Sequence, residues 1–180
     1  MSATEQADAF VFFGATGDLA RKKIFPALQA LAKRGQLNVP VIGVARPGWS
    51  RERLLQRAKE SLEEHGGVDK DAFAVLSQRL QYCEGEYSSQ ATFDHLRKCL
   101  GAAKAPAHYL AIPPSMFAQV TSELGRSGCA DGARVIIEKP FGRDLESAKE
   151  LNADLLKVFP ERAIYRIDHY LGKEPVQNLL

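Results

Sequence analysis

The sequence predicts an α/β fold in which helices cover both faces of a six-stranded, mostly parallel, doubly wound sheet. Short apolar segments alternate with amphipathic segments along the 180 residues, and such alternation is typical of right-handed crossovers between parallel strands. The segments after the apolar runs are rich in glycine, proline and charged residues, whereas those before them carry little distinctive chemistry. Because ligands of such sheets bind beyond the carboxyl ends of the strands, this asymmetry favours a ligand-binding domain.

Each element is predicted from a local pattern. Six apolar runs predict strands at Phe10–Phe13, Val39–Ala45, 79–87 with its loop, 108–114, 134–140 and 163–168. Helical spacing of apolar residues predicts helices from the first turn to about Gly35, from Ser50 to about 65, and over 70–77, 91–100, 115–124 and 144–156. Ser50 and Asp144 are suited to cap their helices. Pro26 should kink the first helix or mark where its regular part begins.

Two apolar stripes define the expected buried faces of the first and last helices. In the first helix the stripe includes Leu31, and in the last it begins at Leu145. Because residues at helical spacing share one face, both leucines are expected to face the core.

Composition and charge narrow the class of protein. The chain is 45% apolar and 26% charged with a net charge of +2, which is typical of a globular domain and does not point to nucleic acid. The first nine residues are polar, and no apolar run reaches the roughly 18 residues of a membrane span, so we expect no signal peptide and no membrane protein. Cys83, Cys99 and Cys129 lie far apart in the sequence and lack metal-ligand spacing. We therefore predict reduced thiols in a cytoplasmic protein and no metal site.

A glycine turn follows the first strand. The segment Gly14-Ala15-Thr16-Gly17-Asp18-Leu19-Ala20 fits a G-x-x-G-x-x-A form of the dinucleotide loop. Gly14 lets the chain leave the strand at a φ that other residues avoid, Gly17 leaves room for a pyrophosphate, and Ala20 lets the helix pack close to the sheet. The helix start offers N–H groups and a positive dipole end to the anion, and Thr16 can add a hydroxyl donor. The turn predicts a Rossmann-like dinucleotide site, with a plain strand-to-helix turn as the alternative.

The end of the second strand favours one dinucleotide. NAD-binding proteins commonly place an acidic residue there, on the ribose 2′-hydroxyl, but here the strand ends in Arg46 and no acid follows until Glu52. An arginine suits the 2′-phosphate of NADP through charge-assisted hydrogen bonds. We therefore predict NADP, the alternative being that Arg46 is a solvent-exposed loop cation. Arg21, Lys22 and Lys23 weakly favour NADP or form a solvated helix face.

Three segments together resemble glucose-6-phosphate dehydrogenase: "GATGDLARKKIFPAL", "IIEKPFGRDL" and "YRIDHYLGKE". The resemblance runs in order through the whole chain and includes "GVAR" and "YLAIPP". It implies the oxidation of glucose 6-phosphate at C1 to 6-phosphogluconolactone with NADP, in the pentose phosphate pathway. It also implies that the full-length enzyme is a homo-oligomer assembled through a second domain.

The resemblance also implies coenzyme contacts. Gly14 to Arg21 resemble the family's NADP diphosphate loop, and Arg46 resembles its 2′-phosphate ligand. Glu86 and Tyr87 lie where the family lines the coenzyme cleft. Lys139 resembles the lysine that contacts both coenzyme and sugar, and the bond from it to the following proline is a candidate cis peptide.

The substrate contacts implied by the resemblance lie near the end of the sequence. His169, Tyr170 and Lys173 resemble the pocket for the 6-phosphate, and Asp168 resembles the carboxylate that orients the catalytic histidine. The residue types agree, because a sugar phosphate needs several cationic or hydroxyl donors and a carboxylate fixes the tautomer of an imidazole. The alternatives are a surface charge for Lys139, a hydrogen-bonded helix-start residue for His169, and a helix cap for Asp168.

The sequence departs from the family in its histidines. The family's catalytic base is a histidine of the second domain, and none of the four histidines here fits its motif; we expect His65, His95 and His108 to be structural. We predict an NADP-binding domain over 1–166 and the start of a truncated substrate domain over 167–180, hence a fragment without significant activity alone. Two alternatives remain: another sugar or inositol dehydrogenase with an "EKP" turn, which would lack "RIDHYLGKE", and a non-catalytic NADP-binding module with "GATG", which would lack "EKPFG".

Overall fold

A single sheet forms the centre of the molecule. The computed structural model describes residues 6–168. Its strands are β1 (Phe10–Phe13), β2 (Val41–Ala45), β3 (Leu80–Glu84), β4 (Ala107–Leu110), β5 (Arg134–Glu138) and β6 (Ile164–Ile167). Its helices are α1 (Phe25–Lys33), α2 (Arg51–Glu64), α3 (Lys70–Arg79), α4 (Gln90–Leu100), α5 (Phe117–Arg126) and α6 (Leu145–Leu156). A π-helical segment, Ala20–Ile24, precedes α1, and short 3₁₀ segments lie at Pro114–Met116 and Glu161–Ala163.

The strand order fixes where a ligand can bind. The sheet reads β3-β2-β1-β4-β5-β6, and every neighbouring pair is parallel. The order reverses between β1, paired through Phe10 with Val41 of β2, and β4, where Phe10 pairs with Ala107. In such sheets the crevice for ligands lies beyond the carboxyl ends of the strands at this reversal. The predicted Rossmann-like, doubly wound α/β fold is confirmed.

The two faces of the sheet bury separate apolar clusters. Phe12 of β1 is buried in a cluster with residues of α1, α2 and α3, whereas Phe13 is buried in a cluster with residues of α4, α5 and α6. Successive side chains of a strand point to opposite faces, so β1 joins both clusters. All five residues of β2 are buried, as expected for a parallel strand covered on both faces.

Helix ends follow the sequence signals. The Ser50 hydroxyl accepts a hydrogen bond from the Arg53 backbone N–H at 3.2 Å and caps α2. The Asp144 carboxylate accepts a hydrogen bond from the Ser147 N–H at 2.8 Å, and the Asp144 N–H donates to the Ser147 hydroxyl at 3.1 Å. These two reciprocal bonds form a capping box at the start of α6. Pro26 is the second residue of α1 and lies just after the π-helical segment, and its ring nitrogen has no N–H to offer to the carbonyls of that segment. It therefore marks where the regular helix begins, the second of the two expectations.

Two leucines expected in the core are not buried. Leu145 is 71% exposed because it starts α6, which packs into the core through its later turns at Leu151 and Leu155. Leu31 is 37% exposed and borders an open groove of about 560 Å³ beside Tyr109 and Ile136. Within residues 6–168, no helix is long and apolar enough to cross a membrane.

Candidate functional site

The glycine turn connects β1 to the π-helical segment at the reversal of strand order. Gly14 has φ +81°, and a β-carbon there would overlap the carbonyl oxygen of Ala111, which follows β4. Only glycine combines that backbone conformation with so close an approach, so the predicted reason for Gly14 is confirmed. The Gly17 N–H donates to the Gly14 carbonyl at 2.9 Å and closes the turn.

The helix after the turn begins with a buried residue and with a π-helical rather than an α-helical segment. Ala20 is fully buried in the cluster with α1 to α3, in agreement with close packing of the helix on the sheet at this residue. The π segment Ala20–Ile24 was not predicted; its Arg21 carbonyl accepts a hydrogen bond from the Ser61 hydroxyl of α2. The Arg21 guanidinium forms an ion pair with Glu64 of α2. The Arg21 side chain is thus directed toward α2, while Lys22 pairs with Asp18 at 3.5 Å on the exposed side.

A buried tyrosine is hydrogen-bonded to the backbone at the start of the glycine turn. The Tyr87 hydroxyl accepts a hydrogen bond from the Gly14 N–H at 2.8 Å and donates to the Val44 carbonyl at 3.1 Å. The residue is 5% exposed, and burial raises the pKa of its hydroxyl to about 12. Since the hydroxyl stays protonated, it can serve both partners at once. The resemblance placed Tyr87 at the lining of the coenzyme cleft; in the structure it lies beneath the turn.

A cation and a carboxylate meet beyond β2 and β3. The two strands pair in register up to Ala45 and Glu84, so the residues that follow them are neighbours. The Nε atom of Arg46 lies 3.8 Å from an Oε of Glu86, and their side chains are 71% and 56% exposed. The Tyr82 hydroxyl donates to the Arg46 carbonyl at 2.7 Å, which fixes the backbone but leaves the guanidinium in solvent. Exposed pairs of this kind are weak, so Arg46 can exchange its partner for another anion.

A second cation and carboxylate meet beyond β5 and β6. The register between Glu138 and Ile167 brings the Nζ atom of Lys139 to 2.6 Å from an Oδ of Asp168. The side chains are 58% and 21% exposed. The bond from Lys139 to Pro140 is cis, as predicted. Asp168 was expected to orient a histidine, and its pairing with Lys139 was not anticipated.

The predicted site residues divide into two groups along one edge of the sheet. The residues of the glycine turn, Arg46, Glu86 and Tyr87 lie beyond β1, β2 and β3. Lys139 and Asp168 lie beyond β5 and β6. His169, Tyr170 and Lys173 lie outside the described residues. The strand β6 ends at Ile167, one residue after the domain boundary predicted at 166.

The structure also gathers a group that sequence reasoning missed. Cys83 of β3 and His95 and Cys99 of α4 place their sulfur and nitrogen atoms within 4.8 Å of one another. The cysteines are free, in agreement with the predicted reduced thiols. Cys83 and Cys99 are distant in the sequence, yet their sulfur atoms are close in the structure. The available signal was the spacing of four between His95 and Cys99 on a predicted helix.

Comparisons with known proteins agree with one another. A protein-family model described as "Glucose-6-phosphate dehydrogenase, NAD binding domain" matches residues 11–178. Glucose-6-phosphate 1-dehydrogenase 1 of Mycobacterium bovis is 42% identical over 172 residues, covering 96% of this chain and 37% of that protein. The Dickeya dadantii glucose-6-phosphate 1-dehydrogenase is 38% identical over 186 residues, covering 100% of this chain and 38% of that protein.

Solved structures give the same result. The crystal structure of glucose-6-phosphate 1-dehydrogenase from Mycobacterium avium superposes with a TM-score of 0.89 at 43% identity, covering 95% of this chain and 38% of that one. A structure of glucose-6-phosphate dehydrogenase in complex with its substrate glucose-6-phosphate superposes with a TM-score of 0.87 at 38% identity, covering 100% of this chain and 40% of that one. The chain thus spans well under half the length of these relatives. It belongs to the glucose-6-phosphate dehydrogenase family and carries the domain by which that family binds a nicotinamide dinucleotide.

Proposed function

We propose that this chain is the coenzyme-binding part of a glucose-6-phosphate dehydrogenase that uses NADP to oxidise glucose 6-phosphate at C1. The observation that carries the proposal is the glycine turn at the strand-order reversal, with Arg46 at the end of the adjacent strand. Its activity, substrate and coenzyme preference are inferred for the complete protein, because the chain spans 37% of the M. bovis relative.

The residues of the turn fit a dinucleotide diphosphate. The turn directly follows the carboxyl end of β1, and the first N–H groups of the following helix lack intrahelical acceptors. Together with the positive end of the helix dipole, these donors suit a diphosphate. NADP, when bound, supplies the acceptor for the hydride that leaves C1. The contribution of this chain is to hold that acceptor beside the sugar.

Arg46 is the residue that selects NADP in this proposal. Its guanidinium is exposed, and the carboxylate of Glu86 lies 3.8 Å away. A 2′-phosphate would offer two charge-assisted hydrogen bonds in place of this loose ion pair. NAD lacks that phosphate and would leave the pair as it is.

Lys139 and Asp168 form the edge of the site that would face the sugar. The carboxylate of Asp168 holds the Lys139 ammonium at 2.6 Å, so the lysine is positioned to donate a hydrogen bond to a sugar hydroxyl. We assign the 6-phosphate to His169, Tyr170 and Lys173, which follow Asp168 in the sequence. A histidine from elsewhere in the enzyme would take the hydroxyl proton, and Asp168 would orient it. The full enzyme is proposed to be a cytoplasmic homo-oligomer, with residues 1–166 as the coenzyme domain.

Titration with NADPH and NADH tests the coenzyme assignment. Replacement of Arg46 by alanine should weaken NADPH binding by roughly 10–100-fold, because hydrogen bonds to a charged group contribute about 1.5–3 kcal/mol, and should leave NADH binding unchanged. Arg34→Ala, an exposed arginine at the end of α1, is the matched control and should change neither affinity. Equal NADPH affinity of the wild type and Arg46→Ala would refute the assignment.

Thermal shifts test the substrate against the two alternatives. Glucose 6-phosphate added with NADP should raise the melting temperature of the complete enzyme, whereas glucose and inositol should not. Lys139→Ala should reduce the shift, and Lys157→Ala, which removes another exposed lysine paired with an aspartate, should not. A shift by inositol would favour the other dehydrogenase, and no shift by any sugar would favour the non-catalytic module.

A further inference from the structure

We infer that Cys83, His95 and Cys99 form a binding site for a thiophilic transition-metal ion, best matched by Zn²⁺. Each residue offers one ligand atom, and the three atoms lie within 4.8 Å of one another. The Cys83 sulfur is 3.7 Å from Nδ1 of His95. This cluster shares no residue with the glycine turn, Arg46 or Lys139, and the inference does not depend on the proposed function.

The secondary structure around the cluster explains why the three atoms converge. His95 and Cys99 are four residues apart in α4, so their side chains lie one above the other on the same side of the helix. Cys83 belongs to β3, which α4 packs against, and it is buried in the apolar cluster on that face of the sheet. The strand and helix therefore hold two thiols and one imidazole without the help of a flexible loop.

The distances suit a tetrahedral ion. Zinc binds thiolate sulfur at about 2.3 Å and imidazole nitrogen at about 2.0–2.1 Å, so two ligands of one tetrahedral ion lie roughly 3.5 Å apart. The sulfur-to-nitrogen distance of 3.7 Å is close to that value before any adjustment. Calcium and magnesium take oxygen ligands, and two sulfurs with one nitrogen therefore select zinc and its softer neighbours.

An ion can reach the cluster from solvent. Cys83 is buried, Cys99 is half-buried and His95 is exposed. His95 also lines an open cleft of about 420 Å³, together with Glu84 at the end of β3 and Gly85 of the loop that follows. Three protein ligands with one side open leave the fourth position to water, an arrangement common to zinc sites with an exchangeable ligand.

Cobalt(II) is the probe for this site because its absorption reports ligand type and geometry. The reduced, metal-free protein, kept in a non-thiol reductant, is titrated with Co²⁺ and then with Zn²⁺. We expect a thiolate-to-metal charge-transfer band, the intense visible bands of tetrahedral cobalt, and their loss when zinc displaces it. Protein without these bands at saturating Co²⁺ overturns the inference.

Single substitutions identify the ligands. His95→Gln and Cys99→Ser should each weaken Co²⁺ binding by at least about tenfold, since loss of a ligand costs no less than loss of its supporting partner. His65→Gln changes an exposed histidine outside the cluster and should leave the titration unchanged. His95 is exposed, so its variant is expected to fold, and circular dichroism checks this. If His95→Gln and Cys99→Ser bind Co²⁺ as tightly as the wild type, the ion lies elsewhere and the inference fails.

Discussion

The glycine turn after β1 is held by backbone and buried contacts, whereas the cations beyond β2 and β5 are held by exposed ion pairs. Gly14 lies against Ala111, and its N–H donates to the buried Tyr87 hydroxyl. Arg46 and Lys139 are 71% and 58% exposed and each faces one carboxylate, that of Glu86 or Asp168. The turn is therefore preformed for a phosphate, while the cations can change partners when an anionic ligand arrives.

We therefore expect the turn to affect mainly folding stability and the exposed cations to affect mainly ligand binding. Changes in the turn should lower the free energy of unfolding, because they disturb closely packed backbone. Changes among the exposed cations should alter ligand affinity with little effect on folding, because exposed ion pairs contribute little. Four measurements test the distinction, in order of decreasing effect.

Gly14→Ala should have the largest effect, lowering the free energy of unfolding by about 4 kcal/mol. A residue held at an unfavourable positive φ costs about 1–3 kcal/mol, and overlap with the Ala111 carbonyl adds a similar amount. Gly35→Ala is the matched control, because Gly35 also has a positive φ, +68°, but a β-carbon there meets nothing within 4 Å. It should cost about 1–2 kcal/mol. Urea unfolding that gives equal values for both variants would show that the approach of Ala111 is unimportant.

The strand that supports the turn should lose stability in acid. His108 of β4 is fully buried, and its Nε2–H donates to the Cys129 carbonyl at 2.7 Å. Burial lowers the pKa of His108 from 6.5 to about 4. As the pH falls from 6.5 toward 4, the unfolded chain therefore takes up the proton before the folded chain does. The free energy of unfolding should fall by about 3 kcal/mol over this range.

Unfolding measured across that range checks this expectation. His108→Gln, whose longer amide can take the place of Nε2 and donate to Cys129, should flatten the pH profile even if it lowers stability at pH 7. His65→Gln should retain the slope of the wild type. A wild-type profile that is flat between about pH 6.5 and 4 would contradict the buried, neutral state of His108.

Tyr87→Phe should lower the free energy of unfolding by about 1 kcal/mol, the usual contribution of one buried hydrogen bond. The effect is modest because the Gly14 N–H also contacts the Val44 carbonyl at 2.9 Å. Tyr165→Phe removes a hydroxyl from a residue that is 43% exposed and should change stability by a few tenths of a kcal/mol at most. Equal effects of the two substitutions in urea unfolding would mean that Tyr87 does not support the turn.

Glu86→Gln should have the smallest effect on folding, within about 0.5 kcal/mol, yet it should tighten NADPH binding two- to threefold (roughly 0.5 kcal/mol). The 2′-phosphate would no longer compete with a carboxylate for Arg46. Glu161→Gln removes the carboxylate of another exposed ion pair, with Arg166 of β6, and should leave the NADPH titration unchanged. Weaker NADPH binding by Glu86→Gln would instead make Glu86 a direct coenzyme contact.

The sequence was sufficient for the elements and the order of the ligand-bearing loops. Apolar runs such as Phe10–Phe13 and caps such as Ser50 and Asp144 are local signals, and the structure reproduces them. Two leucines, Leu31 and Leu145, obey the helical period but lie beyond the buried part of their helices. Periodicity shows which side of a helix is apolar, but not how far a neighbouring layer extends over it.

Contacts between distant residues were beyond sequence reasoning. The hydroxyl of Tyr87 meets an amide 73 residues earlier, and the π segment at Arg21 is matched to Ser61 of α2. The pairing of Lys139 with Asp168 depends on the register of β5 and β6, and the approach of Cys83 to Cys99 depends on where α4 crosses β3. None of these contacts produces a periodic pattern in the amino-acid sequence.

The surroundings of Gly14 also determine when the glycine turn can form its native contacts during synthesis. Its contacts come from Val44, Tyr87 and Ala111, the last of which is 97 residues further on (111 − 14). Joining such distant segments carries a loop-closure cost before the contact stabilises anything. A loop that leaves the ribosome among the first segments of the domain is thus completed only after β4, the fourth of the six strands, has been synthesised and has paired with β1.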